Sequence, residues 1–258
     1  MVEERYIILT GTAGAGKSVL TGVLKEEIER HGFSAITVNL DPAVKVLPYE
    51  ANVDVRDIVS YDEYLRQGLG PNGALIVAVD SLVLHADVIK SRIEEYKADY
   101  VILDTPGQME VFVYRVGGPL LIRAITGGAP AVNVYLMDAL FFEEPLSIAS
   151  ALNLASSVYL RLMLPQINTV SKADLLQPEV IEKIIPRLGE EGFLEGLIEA
   201  IPDVSEQAKY IALKTLEGLR SAGFIGEVYH VSTLQPETVA TLFGGIQAIL
   251  SGGETERG

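Results

Sequence analysis

The chain of 258 residues contains no cysteine, which removes disulfides, thiolate nucleophiles and cysteine-ligated zinc from the available chemistry. Its three histidines, His31, His85 and His230, are too scattered along the sequence to suggest a metal site. Basic charge is scarce as well: 20 Lys and Arg against 35 Asp and Glu give a net charge of −15 and a pI near 4.6. Nucleic-acid binding needs clustered cations to neutralise phosphates, so a broad surface of that kind is not expected. No apolar run reaches the ~18 residues that a membrane span requires. Met1-Val2-Glu3-Glu4-Arg5 leads directly into an apolar stretch, and the expectation is a soluble, unsecreted, cytoplasmic chain without a membrane partner.

What is present is a regular alternation. Apolar strand patterns near 5–10, 33–40, 100–104, 131–138, 166–170 and 227–232 are interleaved with amphipathic helical patterns at about 17–31, 84–97, 109–126, 146–163 and 236–250. Such alternation predicts an α/β fold with three layers, a mainly parallel sheet covered by helices on both faces. Between about 175 and 226 the strand signal is missing, and Gln177-Pro178, the segment 201–206 and Ala222-Gly223 read as helix starts and stops, predicting a helical insertion. With 48% hydrophobic residues the chain can fill one large core. A single domain is expected over 1–250, with a frayed polar tail at 251–258.

The first strand pattern runs into Gly11-Thr12-Ala13-Gly14-Ala15-Gly16-Lys17-Ser18, followed by Val19 and the first helical pattern. This G-x-x-x-x-G-K-S run at a strand-to-helix junction is a phosphate loop. Its glycines let successive N–H groups face phosphates, Lys17 reaches the β- and γ-phosphates, and the Ser18 hydroxyl ligates Mg²⁺. A helix start adds unpaired N–H donors and the positive end of its dipole. The implied ligand is a nucleoside triphosphate.

Three further segments fit such a site. Asn39-Leu40-Asp41-Pro42 puts Asp41 at the carboxyl end of the second strand, where it can orient water or Mg²⁺ or simply open a turn. Tyr100-Val101-Ile102-Leu103-Asp104-Thr105-Pro106-Gly107-Gln108 delivers Asp104 toward the metal through water, brings the Gly107 N–H toward the γ-phosphate and gives Gln108 as a holder of the attacking water. Which of Asp41 and Asp104 contacts the nucleophile stays open, with Asp104 assigned mainly to the metal and Asp41 mainly to water. Ser171-Lys172-Ala173-Asp174 resembles the guanine-specificity motif of GTPases, with Ser171 in the usual Asn or Thr place. The resemblance implies that Asp174 accepts from the guanine N1–H and 2-amino group while the Lys172 stem covers the base. Ser232-Thr233-Leu234, after the last strand pattern, is placed like the loop whose backbone contacts the guanine O6.

About fifty residues after the phosphate loop comes Gly70-Pro71-Asn72, ordinarily a turn signal. Together with the segments above, it resembles the signature of the GPN-loop GTPases, and the resemblance spans nearly the whole chain. It implies a P-loop NTPase fold related to the signal-recognition and MinD-like dimeric class, and hydrolysis of GTP to GDP and phosphate with Mg²⁺. It also implies a homodimer in which the Asn72 amide completes the partner's site. Lys17, Asp41, Asn72 and Gln108 are then the catalytic set. The phosphate loop lacks the extra early lysine of many dimeric ATPases, which favours the GPN reading. A protein client, such as an RNA polymerase assembly intermediate, is implied by eukaryotic relatives. Leu194, Leu197, Ile198 and Ile201, apolar at helical spacing, are candidates for a client groove or for plain core packing. The alternatives are an assembly chaperone with little turnover of its own and a MinD-like ATPase; an ATP-dependent kinase leaves the motifs at 70–72 and 171–174 without a role.

Overall fold

A computed structural model describes residues 4–252. Seven strands form one sheet in the order β3-β2-β4-β1-β5-β6-β7, and every neighbouring pair is parallel. They are β1 (Arg5–Gly11), β2 (Ala35–Asn39), β3 (Val53–Asp54), β4 (Tyr100–Asp104), β5 (Ala131–Asp138), β6 (Gln166–Ser171) and β7 (Val228–Val231). Strands buried on both faces read as continuous apolar runs rather than alternating ones, and this is why the longer strands stand out in the sequence.

The helices are α1 (Lys17–Arg30), α2 (Tyr61–Arg66), α3 (Pro71–Leu84), α4 (Ala86–Glu94), α5 (Met109–Phe112), α6 (Gly117–Thr126), α7 (Pro145–Leu162), α8 (Phe193–Glu199), α9 (Glu206–Ser221) and α10 (Pro236–Gly252). Side chains alternate across the sheet. Ile7 and Leu9 of β1 pack with Leu20, Leu24 and Ile28 of α1 and with Leu242, Phe243 and Ile246 of α10. Tyr6 and Ile8 face the other layer, which includes Leu75, Val79 and Leu82 of α3, Leu121 and Ile125 of α6, and Leu152 of α7. Two apolar cores thus sandwich the sheet, giving the three-layer P-loop NTPase architecture.

Four expectations are corrected. β3, only two residues long, and helices α2 and α3 had no counterpart among the predicted elements. The predicted helix at 109–126 is two helices separated at Val113–Val116. The helix predicted at 84–97 is the shorter α4, which follows a break at His85. Gly70-Pro71-Asn72 is not a free turn but the start of α3, with Gly70 as N-cap and Pro71 in the first turn, a position that suits its fixed φ and missing N–H.

Between β6 and β7 lie a π-helical turn (Val180–Ile184), α8 and α9. Leu194 and Ile198 are fully buried there, with Leu197 packed against the same core. Packing accounts for these three. The tail expected at 251–258 begins within the last turn of α10, and 253–258 lie outside the described residues. Among the described residues no single helix is long and apolar enough to cross a membrane.

Candidate functional site

Parallel pairing aligns the carboxyl ends of the strands. Asn39 lies in register with Asp104, Leu9 with Asp104, Gly11 with Leu136, Asp138 with Ser171, and Ser171 with Val231. The motifs at 11–18, 39–41, 104–108, 171–174 and 232–234 therefore share one edge of the sheet, where ligands of open α/β folds bind.

The loop after β1 is shaped by Gly14 and Gly16, whose φ angles of +79° and +84° lie in the left-handed region that glycine enters without steric cost. Gly16 caps α1 with no side-chain hydrogen bond, so the first-turn N–H groups remain for an anion. Lys17 is buried, and its ammonium donates to the carbonyls of Gly11 and Thr12, both at 2.9 Å. Burial pulls its pKa down to about 8, against the opposing pull of Asp104 and Asp41. A desolvated ammonium held only by two carbonyls is well placed to exchange them for phosphate oxygens.

Beside it stand the two carboxylates. Asp104, 1% exposed, is pushed up to about 6 by burial, against the hydroxyls of Ser18 and Tyr49 and the charge of Lys17, with Asp41 adding to the push. The Tyr49 hydroxyl donates to Asp104 Oδ2 at 3.0 Å, whereas Oδ1 is buried without a hydrogen-bond partner. Asp41 is also raised by burial, opposed by the Ala43 N–H, the charge of Lys17 and the N–H groups of Val44 and Gly107. Its Oδ1 accepts from the Ala43 N–H at 2.9 Å. Gly107 in turn lies on the phosphate loop, where a Cβ on it would touch Ala13 at 3.6 Å. Asn39 clamps this corner: its amide donates to the Asp41 carbonyl and to Asp54 Oδ1, and its Oδ1 accepts from the Asp41 N–H. Gln108 is exposed at the start of α5, and its side chain caps nothing.

An orphaned buried carboxylate oxygen next to a serine hydroxyl suits a hard divalent cation and its waters. Ser18 and Asp104 are therefore the residues that would hold the Mg²⁺ expected from the sequence. Among the described residues no group of three or more His, Cys, Asp or Glu gathers into a metal site of the all-protein kind.

At the other end of the edge a cavity of about 300 Å³ opens. Ala15, Gly16 and Val19 line it on the phosphate-loop side, Lys172 and Asp174 on another, and Thr233 and Leu234 on a third. Its polar groups are prearranged. The Leu234 N–H donates to Ser232 Oγ at 3.2 Å, and Ser232 Oγ donates to Asp174 Oδ1 at 2.6 Å. Ser171 Oγ donates to the Met137 carbonyl at 3.2 Å, and Ala173 is wholly buried. Lys172 takes the left-handed φ of +56° and donates to Asp138 Oδ2 at 2.7 Å, which leaves its stem along the cavity wall.

The structure thus gathers the phosphate loop, Asp41, Asp104 and Gly107 at one end of the edge and the 171–174 and 232–234 segments at the other; Gln108 follows Gly107 but is exposed with no described side-chain contact to the site, and Asn72 is exposed on the first turn of α3. Nothing among the described contacts ties it to the phosphate loop of its own chain.

Residues 9–252 match the profile of a family described as conserved hypothetical ATP binding protein. The chain is 34% identical to the GPN-loop GTPase PAB0955 of Pyrococcus abyssi, over 82% of this chain and 92% of that protein. The chain belongs to the GPN-loop GTPase family. The crystal structure of PAB0955 in its apo form covers 95% of this chain and 97% of that one, with a TM-score of 0.83 at 30% identity. GPN-loop GTPase 3 of Saccharomyces cerevisiae is 33% identical over 70% of this chain and 68% of its own length. For GPN-loop GTPase 1 of Dictyostelium discoideum, 33% identical, the match spans 69% of this chain and 46% of that longer protein.

Three residues at this GPN-type site carried no signal in the sequence. Tyr49 lies in a stretch without periodicity, and Asp138 and Asn39 read as polar ends of buried strands. Only the register of the sheet sets Asp138 beside Lys172 and Asn39 beside Asp54.

Proposed function

We propose that this protein binds GTP and hydrolyses it to GDP and phosphate as a homodimer, with Asn72 completing the active site of the partner subunit. The observation that carries the reading is the single cavity in which the phosphate loop, Asp174 and the 232–234 loop meet. The Asp174 carboxylate, exposed to solvent where it lines the cavity and held by Ser232 Oγ, is matched by the adjacent N–H donors of guanine. Adenine lacks that pair and leaves Asp174 without a partner on the base, a loss that discriminates once the bound base covers the carboxylate.

In the reaction, the Lys17 ammonium leaves the Gly11 and Thr12 carbonyls for the β- and γ-phosphate oxygens. The Ser18 hydroxyl and, through water, Asp104 would hold Mg²⁺, which would supply neutralisation of the phosphate charge. The Gly107 N–H, which now serves Asp41, turns to the γ-phosphate, and Asp41 and Gln108 hold the attacking water in line. The Asn72 amide donates to the departing phosphoryl oxygens, stabilising developing charge without a change of protonation.

Two features support action across a dimer. Asn72 is exposed and unengaged in its own chain, and the helix that carries it ends in an apolar outer surface. Leu84 and Val116 are 83% and 68% exposed and border a cavity of about 560 Å³ between α3 and the start of α6. Exposed apolar surface of this kind supports an association site, which this reading assigns to a second copy. Turnover coupled to assembly of a protein client, such as an RNA polymerase intermediate, extends the same reading.

Steady-state hydrolysis of GTP and ATP with Mg²⁺, by wild type and Asn72→Ala and with mass measured by light scattering, tests it. The expected result is GTP-selective turnover by a dimer, lowered ~100-fold in Asn72→Ala, as for removal of one transition-state donor, with GTP affinity retained. A monomer, or a variant with wild-type turnover, removes the trans role. Equal use of ATP removes the guanine assignment.

A further inference from the structure

Tyr49 sits in the long connection between β2 and β3, outside every motif of the site, yet its hydroxyl donates to Asp104 Oδ2 at 3.0 Å, on the carboxylate that the Ser18 hydroxyl of the phosphate loop also meets. We propose that Tyr49 is the positioning residue of the metal-linked carboxylate, holding Asp104 through Oδ2 so that Oδ1 stays free for a Mg²⁺-bound water. This rests on the nucleotide site proposed above.

The packing of Tyr49 shows what its hydroxyl is for. The Tyr49 Cβ lies against α1 where residue 22 is glycine, and a Cβ on that glycine would come within 3.2 Å of it. Glycine inside a helix costs about 1 kcal/mol against alanine, so this close approach is maintained at a cost to α1. A phenylalanine ring would fill the same place. The hydroxyl adds a half-buried polar group, unfavourable unless bonded, and its partner is Asp104. The segment around it is anchored independently of the carboxylate: Thr37 Oγ1 donates to the Glu50 carbonyl at 2.9 Å, and the Asn52 N–H donates to the Thr37 carbonyl at 2.9 Å. Tyr49 is therefore fixed to β2, and Asp104 conforms to it.

A phenol ordinarily ionises only near pH 10 and is neutral at working pH. It therefore donates without cancelling the carboxylate charge that a divalent cation needs. This is the role of an outer-shell partner, which orients a metal-linked group and raises metal affinity without touching the ion.

The test is the Mg²⁺ dependence of binding of a fluorescent GDP analogue. Tyr49→Phe keeps the ring and its contact with α1, and it is expected to raise the Mg²⁺ concentration at half-saturation roughly tenfold. Affinity in EDTA should stay within about twofold of wild type, since the phosphate-loop contacts persist. In an Asp104→Asn background, adding Tyr49→Phe should produce no further Mg²⁺ shift, because the two groups act as one unit. An unchanged Mg²⁺ half-saturation in Tyr49→Phe overturns the proposal, and so does an equal loss of affinity with and without Mg²⁺, the mark of a packing role. Wild-type protein that does not bind the GDP analogue at all overturns the nucleotide-site reading and this inference with it, whereas wild-type binding indifferent to Mg²⁺ overturns this inference alone.

Discussion

Asp104 occupies a place that folding alone would not choose for a carboxylate. Burial raises it from 3.8 to about 6, so the folded protein holds a proton more readily than the unfolded chain does. The stabilisation from that proton is complete below pH 3.8 and is lost as pH rises through about 6, because the native state must then carry a desolvated charge. At about 1.4 kcal/mol for each tenfold change, the metal-free protein bears on the order of 3 kcal/mol of strain above pH 6. Asp104→Asn should accordingly raise the unfolding free energy at pH 7.5 in EDTA by up to that amount, with the advantage fading at lower pH. Urea denaturation of both proteins at pH 7.5 and 4.5 measures this; a variant less stable than wild type at pH 7.5 would mean that the carboxylate is better solvated than its surroundings imply. At this scale the sequence was legible wherever chemistry comes with a spacing, as in Lys17–Ser18, Asp104–Gln108 and Lys172–Asp174. It was silent where a residue acts through a partner far along the chain. Tyr49 is 55 residues from Asp104 and Lys172 is 34 from Asp138, and no local pattern encodes such pairs.

Elements were legible where their burial matches their period. The strands at 5–11, 100–104 and 131–138 are mostly apolar and buried nearly throughout because both faces are covered, and α1 and α10 keep an apolar stripe with a wet opposite face. Helix α3 was missed because it has no such contrast: Leu75, Val79 and Leu82 face the core while Val77 and Leu84 are exposed, so apolar residues occur all round and the 3.6-residue period disappears. β3 pairs through only two residues, too few for any pattern. The break between α5 and α6 has a steric cause. A Cβ on Gly118 would collide with the Phe112 carbonyl, and one on Gly117 would lie 2.5 Å from Asp80 Oδ1, so the start of α6 packs closer to α5 and α3 than any other residue allows. Gly118→Ala should destabilise the protein by about 1–3 kcal/mol, the usual cost of overpacking. Because α5 opens at Gln108, the displaced helix should also lower kcat for GTP with little change in GTP affinity in the surviving fold. Thermal unfolding together with single-turnover hydrolysis checks both parts, and an unchanged melting temperature would show that the close approach is dispensable.

For the whole molecule, the reading turns on where Asn72 acts. Its side chain is exposed, and substituting an exposed polar residue costs little stability, so Asn72→Ala should fold normally and isolate function. Lys17→Ala removes the phosphate contact instead, and each homodimer should be inactive by itself. Mixed at equal amounts and exchanged, the two variants form heterodimers in about half of all pairs. If Asn72 serves the partner, each heterodimer has one site lacking both groups and one site whose own Lys17 and whose partner's Asn72 are intact. Turnover should then recover to about a quarter of the wild-type rate per site, since half the dimers carry one working site of two. If Asn72 serves its own chain, each heterodimer site lacks one group and mixing restores nothing. The recovered activity should also rise and fall with subunit exchange, followed by energy transfer between labelled subunits. Recovery without exchange would trace the activity to contaminating wild type, and exchange without recovery would return Asn72 to its own subunit.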